Sequence, residues 1–171
     1  MLKKNWHYLT IFIAFIFANG CKDTNERSKI NFEVQDVSFI TKIFLADRNG
    51  NTITLDKNGE SWEVNNQFEV RKDAIATLLS TISKIRIKKP ISNKAFDNVV
   101  KYMATTGISV EIFSGDKMIK AYTIGSNTPD HLGTYMMLRN TKKPYVIHIP
   151  SFNGFLSPRY GVQGNALDVN T

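Results

Sequence analysis

Two Asp-x-Asn-Gly units, Asp47-Arg48-Asn49-Gly50 and Asp56-Lys57-Asn58-Gly59, stand nine residues apart between short alternating apolar stretches. Asn-Gly in that setting is the strongest short-range hairpin signal, because both central residues of the tight turn need positive φ. Phe39 to Leu45, Thr52 to Leu55 and Trp62 to Val64 therefore read as a three-stranded meander. The Asp and Asn side chains also invite a calcium reading. A calcium loop needs Gly at its sixth position and Glu at its twelfth. Counting from Asp47, Gly50 is fourth and Asn58 twelfth, so turn chemistry is the reading kept.

Helical periodicity follows. Ile75, Leu78, Leu79, Ile82 and Ile85 recur on one helix face, with Lys72, Asp73, Ser80 and Lys84 on the other. Ile85 to Lys88 alternates as a short extended segment ended by Pro90. A second helix runs from an N-cap at Ser92, with Phe96, Val99, Val100 and Met103 on its apolar face and Gly107 as its C′ stop. Ile108–Phe113 and Met118–Ile124 then form a hairpin around Ser114 to Asp116, and Thr134–Arg139 and Tyr145–Ile149 form another. The expected fold class is α+β: a mostly antiparallel β-sheet with an N-terminal meander, two helices, C-terminal hairpins, and the helices packed on one face.

The N-terminus carries a different message. Lys3 and Lys4 precede an apolar run from Tyr8 to Ala18 that is too short to span a bilayer, and Gly20-Cys21 follows. Cys21 is the single cysteine of the 171 residues, which excludes an internal disulfide and a Cys-rich zinc site. The segment Ala18-Asn19-Gly20-Cys21 resembles the signal of a bacterial lipoprotein. That resemblance implies cleavage before Cys21, acylation of the cysteine and anchorage in membrane lipid, with the outer membrane as the expected address. Asp23 alone matches the surface-export signal of Bacteroidetes lipoproteins. The expected organisation is a signal peptide over 1–20, a flexible tether over 21–36, the domain over 37–160 and a loose tail over 161–171.

Within the domain, chemistry has three places to reside. The longest polar loop, Gly125 to Gly133, holds Asp130 and His131, and His148 lies on a later strand. With Tyr135 and Arg159 these are the candidate ligand-binding residues. Adjacent residues of an extended chain point apart, so Asp130-His131 is not itself a dyad. No nucleophile elbow, phosphate loop or metalloprotease helix is present, and no catalytic residue, metal ligand or cofactor is expected. The second place is Lys84, Arg86, Lys88 and Lys89, read as edge-strand protection or as a patch for anionic lipid headgroups or another polyanion. A formal net charge of +7 agrees with a basic surface, but nothing resembles a nucleic-acid groove. The third, Pro150 to Tyr160, has three aromatics and reads as a lid on the core.

Lys42–Gly50, Trp62, Arg71–Ala74, Gly107–Ile112, Leu132–Met136, Pro144–Pro150 and Phe152–Arg159 together resemble the Bacteroidetes branch of the domain of unknown function 4340 lipoproteins. The resemblance covers roughly Val37 to Tyr160 and implies an envelope-associated α+β domain without an established activity. The functional expectation is a non-catalytic binding or assembly module that contacts an envelope protein or glycan. The alternative is an envelope enzyme centred on Asp130, His131 and His148.

Overall fold

The computed structural model describes residues 30–163 and 166–167, with side chains through Gly161. The expected signal peptide, Cys21 and the first part of the expected tether lie outside the described residues. Nine strands form one sheet: β1 (Lys42–Ala46), β2 (Thr52–Asn58), β3 (Ser61–Val64), β4 (Phe68–Glu69), β5 (Arg86–Pro90), β6 (Ile108–Ser114), β7 (Lys117–Asn127), β8 (Thr134–Leu138) and β9 (Tyr145–His148). Their order is β4-β3-β2-β1-β6-β7-β8-β9-β5, and every neighbouring pair is antiparallel. Helices α1 (Lys72–Lys84) and α2 (Asn93–Thr106) complete an α+β fold.

The meander forms, with altered turns. At Gly50 (φ 88°) and Gly59 (φ 60°) the glycine alone is left-handed, whereas Asn49 and Asn58 are not. Asp47 explains the first turn. Its Oδ1 accepts from the backbone N–H of Asn49 (2.8 Å) and Asn51 (2.9 Å), and its Oδ2 from Asn51 Nδ2 (2.7 Å). Burial works to raise this carboxyl's pKa, but the Asn51 side chain and the loop N–H groups outweigh it and hold the group below its ordinary range. Asp56 belongs to β2 rather than to a turn, paired with Lys42 and Glu63. A fourth strand, β4, follows the left-handed pair Asn65 (φ 52°) and Asn66 (φ 54°).

One sheet face carries most of the core. Ile43 faces Ile112 and Leu55, Val110 faces Tyr122, and Ile124 faces Met136, all buried. The lid over Pro150 to Tyr160 closes this face: Leu156 and Tyr160 are buried, and its terminal turn, Ser157–Tyr160, touches both α1 and β7. On α1 the buried positions are Ile75, Leu78, Thr81 and Ile82. Leu79 is only half-buried. Thr81 is tolerated inside because its Oγ1 donates to the Thr77 carbonyl oxygen (2.7 Å).

The two helices occupy opposite faces, which corrects the expectation of one shared face. Thr123 and Gly125 alternate with Tyr122 and Ile124, and it is Thr123 and Gly125 that meet the C-terminal end of α2 at Gly107 and Met103. Topology supplies the reason. The α1 connection runs from one sheet edge, β4, to the other, β5, and the α2 connection returns to β6. Both join strands of the same direction, and right-handed crossovers travelling in opposite senses must use opposite faces.

Gly107 ends α2, but in extended conformation (φ −67°, ψ 143°) rather than left-handed. Glycine is required there by space: a Cβ would lie 2.4 Å from the Met103 carbonyl oxygen and 2.6 Å from Thr123 Cγ2. Gly107→Ala is therefore expected to cost ~1–3 kcal/mol through overpacking. A thermal melt at the wild-type temperature would refute this account.

The packed unit starts at Phe32, so the boundary expected at Val37 falls inside it. Phe32 and Glu33 are buried, and the Val34 N–H donates to the Ile82 carbonyl (3.2 Å). At the other end, the tail expected to be loose from residue 161 contains a short pair, β10 (Val162–Gln163) with β11 (Ala166–Leu167).

Candidate functional site

The 125–133 loop is built around Thr128, which is buried. Its N–H donates to the Gly133 carbonyl (2.9 Å), closing the loop, and its carbonyl accepts from the His131 N–H (2.9 Å). Thr128 Oγ1 donates to Asp130 Oδ1, which also accepts from the Leu132 N–H (3.1 Å). These two bonds, the hydroxyl first, hold the Asp130 carboxyl below its ordinary range, with further help from the charges of Lys88 and Lys89. His131 takes up a left-handed backbone (φ 55°), and its Nδ1 lies 2.6 Å from Asn127 Nδ2. An amide N–H can only donate, so Asn127 pairs with the ring through Nδ1 as acceptor.

The lid meets this loop. The His131 ring lies 5.9 Å from the Phe155 ring, and the buried Thr134 hydroxyl accepts from the Leu156 N–H (2.7 Å). Arg159 stacks on Phe152, its guanidinium carbon 4.2 Å from the ring centroid. The basic edge meets the loop as well, because Lys88 Nζ donates to the Leu132 carbonyl (3.1 Å). His148, opposite Arg86 on the neighbouring strand, is held below its ordinary pKa by partial burial and then by Lys88.

Three regions that lie apart in sequence thus converge at one end of the sheet. Asp130 and His131 share a loop, His131 touches the lid through Phe155, and Lys88 acts on both Asp130 and His148. Arg159 belongs to the lid, but its partner is Phe152 rather than the loop. Tyr135 stands apart from them, on β8 opposite Val146 and on the face that carries α2. Thr128 is the organising residue that sequence reasoning passed over. Its signal was the Thr-x-Asp spacing, a hydroxyl and a carboxylate placed to share a turn.

Chemically, this end offers an exposed imidazole, an exposed Leu132 and lysine ammonium groups around a carboxylate already committed to its own loop. Among the described residues, no group of three His, Cys, Asp or Glu side chains is placed to hold a metal ion. Among them, too, no helix is long and apolar enough to cross a membrane. Comparison of the chain with models of known protein families, with curated proteins and with solved structures finds no match. The fold is α+β, on a nine-stranded antiparallel sheet.

Proposed function

We propose that the chain is an envelope lipoprotein of the type its sequence resembles, held in membrane lipid through acylated Cys21. Its domain then acts as a non-catalytic binding or assembly module for an envelope protein or glycan. The observation that carries the anchor is the sole cysteine placed directly after Gly20 and the apolar run. Two acyl chains or more give lasting attachment, since each buried methylene contributes ~0.8 kcal/mol. Binding rather than catalysis is supported by the loop itself. Asp130 spends its Oδ1 on Thr128 and Leu132, and the His131 Nδ1 faces Asn127, so both side chains serve the shape of the loop.

Metabolic labelling with a palmitate analogue tests the anchor. Wild type should take up label and lose its leader, and Cys21→Ser should do neither. Label on Cys21→Ser would overturn the assignment. Affinity capture from membranes tests the module. If no partner is retained and the purified protein turns over an envelope substrate, with loss on His131→Ala or His148→Ala, the enzyme reading around Asp130, His131 and His148 replaces it.

A further inference from the structure

On the reading that Cys21 is anchored, the membrane-proximal part of the domain is where the chain enters it. Only residues 22–31 separate Cys21 from Phe32, a reach of at most on the order of 35 Å. Phe32 packs on Tyr145 of β9, with ring centroids 6.1 Å apart, and Glu33 pairs with Arg86 of β5. Phe32 also packs on Tyr122 of β7, so the chain enters over the β7–β9–β5 part of the core face, beside the β5 edge, which among the described residues has no partner strand on its outer side.

That edge is basic along its length. Lys84 precedes β5, Lys88 and Lys89 lie on it, and Lys142 and Lys143 lead into Tyr145, which pairs with Pro90 at its far end; all five are exposed. Arg86 is neutralised by Glu33, and Asp130 is the carboxylate facing Lys88 and Lys89. The opposite edge has the reverse character. From Thr52 to Val70 it carries Asp56, Glu60, Glu63 and Glu69, with Lys57 its single base. The β5 edge is also shaped against strand addition. A register shift falls between Ile87 and Lys89, and Pro90 has no N–H to offer a partner.

We propose that the β5 edge lies on the anionic phospholipid headgroups of the membrane that holds the anchor. Five ammonium groups on flexible stems suit mobile phosphates, which need no preformed pocket. The contact orients the domain with β5 toward the bilayer and the acidic β2–β4 edge away from it. It is electrostatic, so it weakens as salt shortens the screening length below its physiological value of ~8 Å.

The full-length chain is mixed with vesicles of phosphatidylcholine alone, or with one-third phosphatidylglycerol, and its lysines are acetylated and read by mass spectrometry. On the anionic vesicles Lys84, Lys88, Lys89, Lys142 and Lys143 should react several-fold more slowly, recovering in high salt, while Lys57 is unchanged. Each basic residue near such a surface contributes roughly fivefold to partitioning, so a Lys88→Glu/Lys89→Glu variant should bind the anionic vesicles more weakly by about a hundredfold or more, and its Lys84, Lys142 and Lys143 should react as they do on phosphatidylcholine alone. A melt matching wild type shows that this variant is folded. Equal lysine rates on the two vesicle types would overturn the inference. A palmitate label read on the same protein separates the two ideas. Label without protection removes the edge contact alone, and protection without label removes the anchor alone.

Discussion

Ile82→Ala is expected to destabilise the domain by ~2–5 kcal/mol, whereas Leu79→Ala, one turn away, should cost less than about 2 kcal/mol. Ile82 is 0% exposed and Leu79 only half-buried, although both satisfy the same amphipathic pattern. At Ile82 the side chain lies inside the core and the carbonyl accepts from Val34, so the helix is clasped there by the entering chain. Truncation removes the transfer free energy and leaves a cavity that this clasp prevents from collapsing. At Leu79 solvent can follow the shortened side chain. Urea unfolding at unchanged slope is the measurement. Equal midpoints for the two variants would mean that the buried stripe of α1 is misassigned.

That contrast shows where sequence pattern ends. Periodicity of 3.6 locates the buried side of a helix to within a residue or so, and here it admitted Leu79 where the structure buries Thr81. A threonine can enter because the helix backbone satisfies its hydroxyl, a condition no hydropathy pattern registers. Local signals were otherwise well legible. The glycines of the hairpin turns, the two helices and the alternation of Ile108 to Phe113 are properties of short windows, and these elements form as read.

Long-range relations were not legible. That β5 pairs with β9 follows from contacts between residues some sixty apart, such as Arg86 with His148, and no window contains both. The faces of the helices depend on strand order, which is likewise non-local. Phe32 and Glu33 were missed for a related reason. Ile30, Phe32 and Val34 do alternate with polar residues, but the segment forms no strand, and the burial of Phe32 and Glu33 rests on distant partners such as Tyr145, Tyr122 and Arg86. β4 was missed because it spans two residues, although the left-handed Asn65-Asn66 pair announced its turn. The candidate site was legible as components. Asp130, His131 and His148 could be named, but not Lys88 acting between them nor Phe155 against His131.

The lid's attachment gives the second large effect, in alkali. The Tyr122 and Tyr160 hydroxyls meet at 2.8 Å in the core, with their rings edge-to-face at 6.2 Å. Burial pushes both phenols well above their ordinary pKa, since neither phenolate can be solvated there. A folded-state pKa raised in this way contributes stability that is complete below the unfolded value and is lost as pH climbs beyond it. Above pH ~10 the unfolded chain gives up both protons while the folded one keeps them, so stability should fall by ~2.7 kcal/mol per pH unit for the pair. Half-buried Lys120, lowered by desolvation, acts with the opposite sign, so the pair is read as the difference between wild type and Tyr122→Phe/Tyr160→Phe. The double variant should lose that slope, and each single variant should keep about half of it, near 1.4 kcal/mol per pH unit. At neutral pH each single variant strands one buried hydroxyl and should cost ~1–3 kcal/mol, while the double variant costs no more than the worse single. Urea unfolding from pH 8 to 11 supplies both readings. If the double variant fell with pH as steeply as wild type, the two phenols would have to be ionising in the folded state, and the lid would not be closed over them.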